Sequence, residues 1–278
     1  MSLHKSINGW RRWFCAGAAV ALAGGLLARP AGAARGDKNV KPEDVVERTI
    51  NFYGGRPALY AIQRNGILRG QLTLTTPEGT REGRTTTKFI RKEKMADDLV
   101  MLDLELPGTR FIIGFDGKQT WALHNGEAQE PSPETVKTFR ASQAHSYEAL
   151  LRYKENNTKL EYAGNKSFSP GNDLDLIDLI AADGTRTRYE ISRKTSRVIY
   201  LEYEEKLAAE APPVKFRLYF KDFRVIQQTL LPFITQVFQD GKLVEERKLV
   251  EVAYNVQLEE AAFKVENANK PAEAAAKP

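Results

Sequence analysis

The feature that most constrains this chain is a long succession of short segments in which every second residue is apolar. Residues 199–203 and 216–220 show this alternation, and Asp-Gly pairs at 116–117, 183–184 and 240–241 mark tight turns between such segments. A period of two predicts strands with one apolar face, and the turns predict consecutive hairpins, about twelve strands in all. A meander this long must curl to bury its apolar face, so we expect a mainly β fold, an incomplete antiparallel β-barrel.

Two stretches have the helical period instead. Residues 42–55 begin with Pro-Glu-Asp, repeat apolar residues at spacings of three and four, and end with two glycines, as helix caps and the helix dipole prefer. Ser132 and Pro133 fit the N-cap and first position of a longer helix that reaches Asn156, with a break near residues 141–144. We expect these helices to form a lid over the open side of the sheet.

Residues 1–33 have the pattern of a secretory signal peptide: basic residues, an apolar run and small residues that predict cleavage after Ala33. Sec export is favoured over twin-arginine export because Trp10 precedes the arginine pair where Ser or Thr is usual. The alternative is a retained membrane anchor, but the apolar run of about 16 residues is shorter than the roughly 20 that a span needs. We therefore expect a periplasmic protein that does not span a membrane once processed.

Most of the positive net charge comes from residues 1–33. The formal net charge is +5, and residues 1–33 carry four Lys or Arg and no acid, which leaves +1 for the remainder. A near-neutral body lacks the concentrated basic face that nucleic-acid binding needs. Cys15 is the one cysteine, so the mature chain has no disulfide and depends on its core. We expect one domain over residues 34–265 and a disordered tail over 266–278, whose residues are mostly small, polar or proline.

Residues that could act in catalysis or bind a metal are few and lie far apart in the sequence. His124 and His145 lie on different predicted elements, and no nucleophile elbow, phosphate loop or metal-ligand spacing is present. The acids Asp173, Asp175 and Asp178 alternate along one segment, which predicts the solvent face of a strand. We therefore expect a non-enzymatic protein with no metal and no cofactor.

Large apolar residues are predicted to share one face of the curled sheet. They are either a filled core or the lining of an apolar cavity. Trp121 follows the turn at 116–117, and the sequence leaves the strand register after this turn open by one residue. It therefore does not decide which face of the sheet Trp121 points to. The candidate lining residues are Leu72, Leu74, Phe89, Leu102, Leu104, Phe111, Ile113, Trp121, Leu201, Phe216 and Phe220.

The segment Phe115–Trp121, read as Phe-Asp-Gly-Lys-Gln-Thr-Trp, resembles the Asp-Gly-Lys-x-x-Trp hairpin of periplasmic lipoprotein carriers, the LolA-like superfamily. The order of elements over roughly residues 40–265 is similar to that family as well. The resemblance implies a half-barrel with a helical lid over a cavity that holds acyl chains of lipoproteins or other lipids. It also implies that Arg91 and Lys92, at the end of the second strand, contact the lid, although Glu93 stands where the carriers have proline.

Two functions follow as expectations. The first is a soluble periplasmic binding protein that holds a lipid or lipoprotein acyl chain, for example for transport to the outer membrane. The alternative is an envelope sensor or scaffold that uses the same fold to bind a protein partner, with a packed interior.

Overall fold

The computed structural model describes residues 40–207 and 210–269. All strands belong to one antiparallel sheet of 13 strands, in the order β6-β5-β4-β3-β2-β1-β13-β12-β11-β10-β9-β8-β7. The strands are β1 Asn65–Thr76, β2 Gly79–Ile90, β3 Leu99–Leu106, β4 Thr109–Phe115, β5 Thr120–His124, β6 Glu127–Gln129, β7 Lys159–Ser169, β8 Asn172–Ile180, β9 Arg186–Ser192, β10 Val198–Glu205, β11 Val214–Ile226, β12 Thr229–Gln239 and β13 Lys242–Tyr254.

The strand order is that of two meanders, β1–β6 and β7–β13, which are joined by the pairing of β1 with β13. Every pair of neighbours is consecutive in the chain except β1 and β13, which pair with each other at the centre of the sheet. Strands β6 and β7 are the two edges and do not pair with each other, so the sheet is not closed. The predicted incomplete antiparallel barrel is confirmed.

The described residues form four α-helices: α1 Pro42–Phe52, α2 Gly55–Ala61, α3 Pro133–Ala144 and α4 Tyr147–Leu151. The predicted cap of the second helical stretch is correct, because the Ser132 hydroxyl accepts a hydrogen bond from the Thr135 backbone N–H. The predicted break lies at His145, between α3 and α4. No helix in the described part of the chain is long and apolar enough to cross a membrane.

The helices pack against one face of the sheet, which we call the helix-covered face. On one half, α1 and α4 share an apolar cluster with Leu201 and Phe220, named here the α1 cluster. On the other half, α3 contributes Phe139 to a cluster with Leu72 and Ile113, named here the α3 cluster. Directly paired residues point to the same side of a sheet, so both halves belong to one continuous face.

The row of paired residues that joins the two clusters is polar at its centre. Leu72 pairs with Arg247, Arg247 with Thr235, and Thr235 with Phe220. Arg247 forms an ion pair with Glu245 at 2.5 Å. Along this row, polar side chains separate the α1 cluster from the α3 cluster.

The C-terminal residues cover part of the opposite face. Two short 3₁₀ turns, Glu260–Phe263 and Val265–Asn267, lie against β3 and β5, and Phe263 and Ala268 are buried there. The boundary predicted at residue 265 is therefore too early, because packed chain continues to Ala268. Residues 270–278 of the predicted tail, and the predicted signal peptide at 1–33, lie outside the described residues.

Candidate ligand-binding face

The α3 cluster is the best candidate for contact with an apolar ligand. Strand alternation brings the even residues of β1 and β3 and the odd residues of β4 to one side, beneath α3. Its buried members are Leu72, Leu104, Leu106, Phe111, Ile113, Ala122 and Phe139. Four further apolar side chains in it are only partly buried: Leu74, Val100, Leu102 and Phe115. The structure thus brings together six of the predicted lining residues, namely Leu72, Leu74, Leu102, Leu104, Phe111 and Ile113.

Helix α3 is held over this cluster by few contacts. Of its 12 residues only Phe139 is buried. The Arg140 guanidinium lies 4.2 Å from the centre of the Phe115 ring and donates to the Ala96 carbonyl at 2.5 Å. Lys137, whose side chain is about half exposed, forms an ion pair with Glu205 at 2.7 Å. A single buried apolar anchor and a few polar contacts hold a helix more weakly than a buried stripe does.

The α1 cluster is packed much more completely. Leu201 and Phe220, both predicted to line the cavity, lie there among buried side chains from α1 and α4. Phe216, the other predicted lining residue of this half, stacks on Tyr203 with ring centres 5.0 Å apart. On this half the residues form a filled core, the alternative that the sequence left open.

His145, at the break between α3 and α4, is enclosed beside this core. Its ring stacks on Tyr203 with centres 3.8 Å apart, and Nδ1 lies 2.7 Å from the Thr187 hydroxyl. Burial lowers the pKa of His145 to about 4, against the weaker opposing effects of Glu205 and Asp183. The imidazole is therefore neutral at pH 7.

Two of the predicted lining residues are elsewhere. Trp121 lies on the opposite face, because it precedes Ala122, the residue that pairs with Ile113, and a shift of one residue reverses a side chain's direction. It packs with Met101 and Phe263 instead. Phe89 is on the helix-covered face but belongs to a separate cluster, where its ring lies 6.3 Å from that of Tyr254. Neither residue belongs to the α3 cluster.

Arg91 and Lys92 follow the last residue of β2 and lie beside α4. Arg91 Nη2 forms an ion pair with Glu148 of α4 at 3.0 Å. The Lys92 carbonyl accepts a hydrogen bond from Arg152 Nη2 at 3.0 Å, and its ammonium group pairs with Glu260. Both residues therefore connect the end of β2 to neighbouring elements, including α4.

The sequence did not indicate Arg152, which is the centre of this connection. Its guanidinium forms a buried ion pair with Asp98 and donates from Nε to Glu155 at 2.6 Å. Burial by itself lowers the pKa of Arg152, but the hydrogen bonds and charges of Asp98 and Glu155 outweigh that effect and raise it. Only the spacing of Arg152 and Glu155 was visible in the sequence, since Asp98 is 54 residues away.

The predicted solvent-facing acids are paired with arginines instead of standing free in solvent. Asp178 accepts two hydrogen bonds of 2.7 Å from Arg188. Asp175 pairs with Arg193 at 2.7 Å and Arg48 at 3.3 Å. Both carboxylates are buried, so the expectation of exposure is wrong for them. Among the residues that the structure describes, no group of three or more His, Cys, Asp or Glu is arranged to hold a metal ion.

Comparison with solved structures identifies the fold. The chain is similar to a putative outer membrane lipoprotein-sorting protein domain from Vibrio parahaemolyticus, at 12% identity and a TM-score of 0.53 over 80% of this chain and 95% of that one. A DUF1329 family protein from Desulfovibrio piger gives 14% identity and a TM-score of 0.55 over 81% and 98%. A LolA superfamily protein from Nitrosomonas europaea gives 9% identity and a TM-score of 0.52, again over 81% and 98%. No protein-family sequence model and no curated protein matches the sequence. The chain has the LolA-like fold.

Proposed function

We propose that this LolA-like chain is a periplasmic binding protein that holds an acyl chain of a lipid or lipoprotein against the α3 cluster. One observation carries the proposal. Beneath α3, four apolar side chains are only partly buried, while the helix itself buries a single residue, Phe139. Lifting α3 would expose a continuous apolar surface on β1, β3 and β4.

The energetics favour exchange of the helix for a ligand. Withdrawing Phe139 costs about 1.5–3 kcal/mol of apolar burial, and each methylene of an acyl chain that enters contributes about 0.8 kcal/mol. About four buried methylenes therefore offset the loss of Phe139. A chain of ordinary lipid length has enough methylenes to bind by this exchange without any specific polar contact.

Phe139→Ala tests whether α3 is a removable cover. Loosening the helix should increase uptake of a fluorescent hydrophobic dye several-fold, because the apolar surface beneath it becomes accessible. Phe168→Ala is the matched control, since Phe168 is an exposed phenylalanine of β7, away from α3. Equal dye uptake by both variants would contradict the proposal.

Leu102→Gln tests the ligand surface itself. A polar amide at this partly buried position should weaken binding of a fluorescent fatty acid at least tenfold, since it must be desolvated when the acyl chain binds. Leu243→Gln, at an exposed leucine of β13, should bind as the unchanged protein does. Native mass spectrometry of the protein purified without detergent should also show bound lipid.

A second function is supported by the packing of the interior. Leu72, Ile113 and Leu201 are at most 1% exposed, and their surroundings are filled by neighbouring side chains. This favours a sensor or scaffold that binds a protein partner on its surface. Absence of dye uptake and of bound lipid in both the unchanged protein and Phe139→Ala would select this function over the first.

Export is part of the proposal. The near-neutral body and basic leader support a signal peptide that is removed after Ala33. N-terminal sequencing of protein recovered from a periplasmic fraction should begin at or within a few residues of Ala34. Recovery of the whole leader in a membrane fraction would favour the retained anchor.

A further inference from the structure

A cavity of about 200 Å³ opens at the end of the sheet beside α2 and α4. Five cationic side chains and no carboxylate line it, together with three apolar or aromatic side chains. They come from α2, the turn before β1, the end of β2 and the end of α4. The lining residues are Arg56, Leu59, Tyr60, Arg64, Arg91, Lys92, Leu151 and Arg152.

Three of the cations are held in place by acids that lie outside the lining. Arg152 is fixed by Asp98 and Glu155. Arg56 pairs with Glu47 at 2.7 Å. Lys92 pairs with Glu260. These pairs set the positions of the cationic groups before any ligand arrives, which reduces the entropy cost of binding.

The remaining two cations have donors to spare. Arg64 is exposed and, unlike the other four lining cations, forms no ion pair with any residue in 40–207 or 210–269. The Arg91 side chain is only 10% exposed. Its Nη2 pairs with Glu148, but its Nε is buried and donates to no group of the described chain. A buried N–H without a partner is costly, and the exposed Arg64 guanidinium can donate to a ligand oxygen in this cavity.

We propose that this cavity binds a phosphate group carried on a small or partly apolar molecule. Phosphate fits better than a single carboxylate because it offers more acceptor oxygens and more charge to several converging cations, and arginine forks match its geometry. Leu59, Tyr60 and Leu151 give the attached group an apolar wall. The site lies outside the α3 cluster and does not depend on acyl-chain binding.

Arg64→Gln is the decisive variant, because Arg64 is exposed and its loss leaves the fold intact. Calorimetric titration with inorganic phosphate and with glycerol 3-phosphate should show binding that is at least fivefold weaker in Arg64→Gln. Arg84→Gln is the matched control, since Arg84 is an exposed arginine of the same sheet, about seven residues along β2 from Arg91 and so roughly 20 Å away. Phe139→Ala should leave phosphate affinity unchanged, so failure of this site and failure of acyl binding are separable.

Vesicles distinguish the two sources of the phosphate group. Co-sedimentation with phosphatidylcholine vesicles that contain phosphatidic acid, but not with pure phosphatidylcholine, and its loss in Arg64→Gln would assign the site to a lipid headgroup. Arg64-dependent binding of the soluble phosphates alone would assign it to a free phosphate compound. Either result supports the site. Absence of all binding, or binding that Arg64→Gln leaves unaltered, would overturn it.

Discussion

The indole nitrogen of Trp121 donates a 2.8 Å hydrogen bond to the backbone carbonyl of Phe263, 142 residues later in the chain. This bond ties the C-terminal 3₁₀ turn to the face of the sheet opposite the helices. Phe263 is itself fully buried there beside Met101 and Ile112. The C-terminal segment is therefore a structural part of the domain, and it covers apolar strand surface that would otherwise face water.

Trp121→Phe should lower the free energy of unfolding by about 1–2 kcal/mol, because it leaves the Phe263 carbonyl without its buried donor while keeping most of the ring. Phe263→Ala should cost more, about 3–5 kcal/mol, since it also creates a cavity. Urea denaturation measures both. If Phe263→Ala proved as stable as the unchanged protein, the C-terminal segment would not be packed as described.

Arg152→Met should destabilise the protein by about 3–5 kcal/mol. The change leaves the buried carboxylate of Asp98 without its cation, and an unpaired buried charge is expensive. Arg224→Met provides the comparison, because Arg224 forms an exposed pair with Asp222 at 2.6 Å, and exposed pairs contribute little to stability. Similar losses in the two variants, measured by urea denaturation, would contradict the burial of the Arg152 pair.

Stability should fall as the pH drops from 6.5 toward 4. Burial lowers the pKa of His145 from 6.5 to about 4 in the folded protein. The unfolded chain therefore takes up this proton first, and the contribution of His145 lowers the stability of the folded state by about 3 kcal/mol over that interval. His145→Gln should remove this part of the pH dependence.

The measurement for His145 is urea denaturation at pH 7 and pH 5, comparing the change in stability rather than its absolute value. His124→Gln controls for removal of an imidazole as such, because His124 lies at the other half of the sheet beside Thr109. An unchanged pH dependence in His145→Gln would show that the imidazole is not the group that titrates.

Much of the architecture could be predicted from local patterns. Period-two alternation and turn residues predicted the strands, and Ser132 with Pro133 predicted the start of α3, because these signals act within a few residues. The face of the sheet to which a side chain points was harder to predict. Trp121 follows a turn, and a shift of one residue in the strand register moves its side chain to the other face. Leu201 could not be assigned to a filled core rather than a cavity wall, since both environments select apolar side chains.

The basic cavity could not be predicted because its residues are far apart in the chain. Arg64, Arg91 and Arg152 come from three separate elements, and none of them belongs to a recognisable short motif. Their proximity depends on the pairing of β1 with β2 and on the placement of α4 at the end of β2 by the Arg91–Glu148 ion pair. Only the tertiary structure contains that information.

Gly114→Ala should be among the more damaging small substitutions in this chain. Gly114 pairs directly with Trp121, and a Cβ atom at Gly114 would lie 2.4 Å from Cζ2 of the indole. The indole cannot move aside easily, since it is buried and bonded to Phe263. Forcing a methyl group into such a packed site costs about 1–3 kcal/mol.

In Trp121→Phe the smaller ring removes the clashing atoms, so Gly114→Ala should cost distinctly less in that background, as a double-mutant cycle of urea denaturation would show. Equal costs in both backgrounds would mean that the indole does not occupy the space above Gly114.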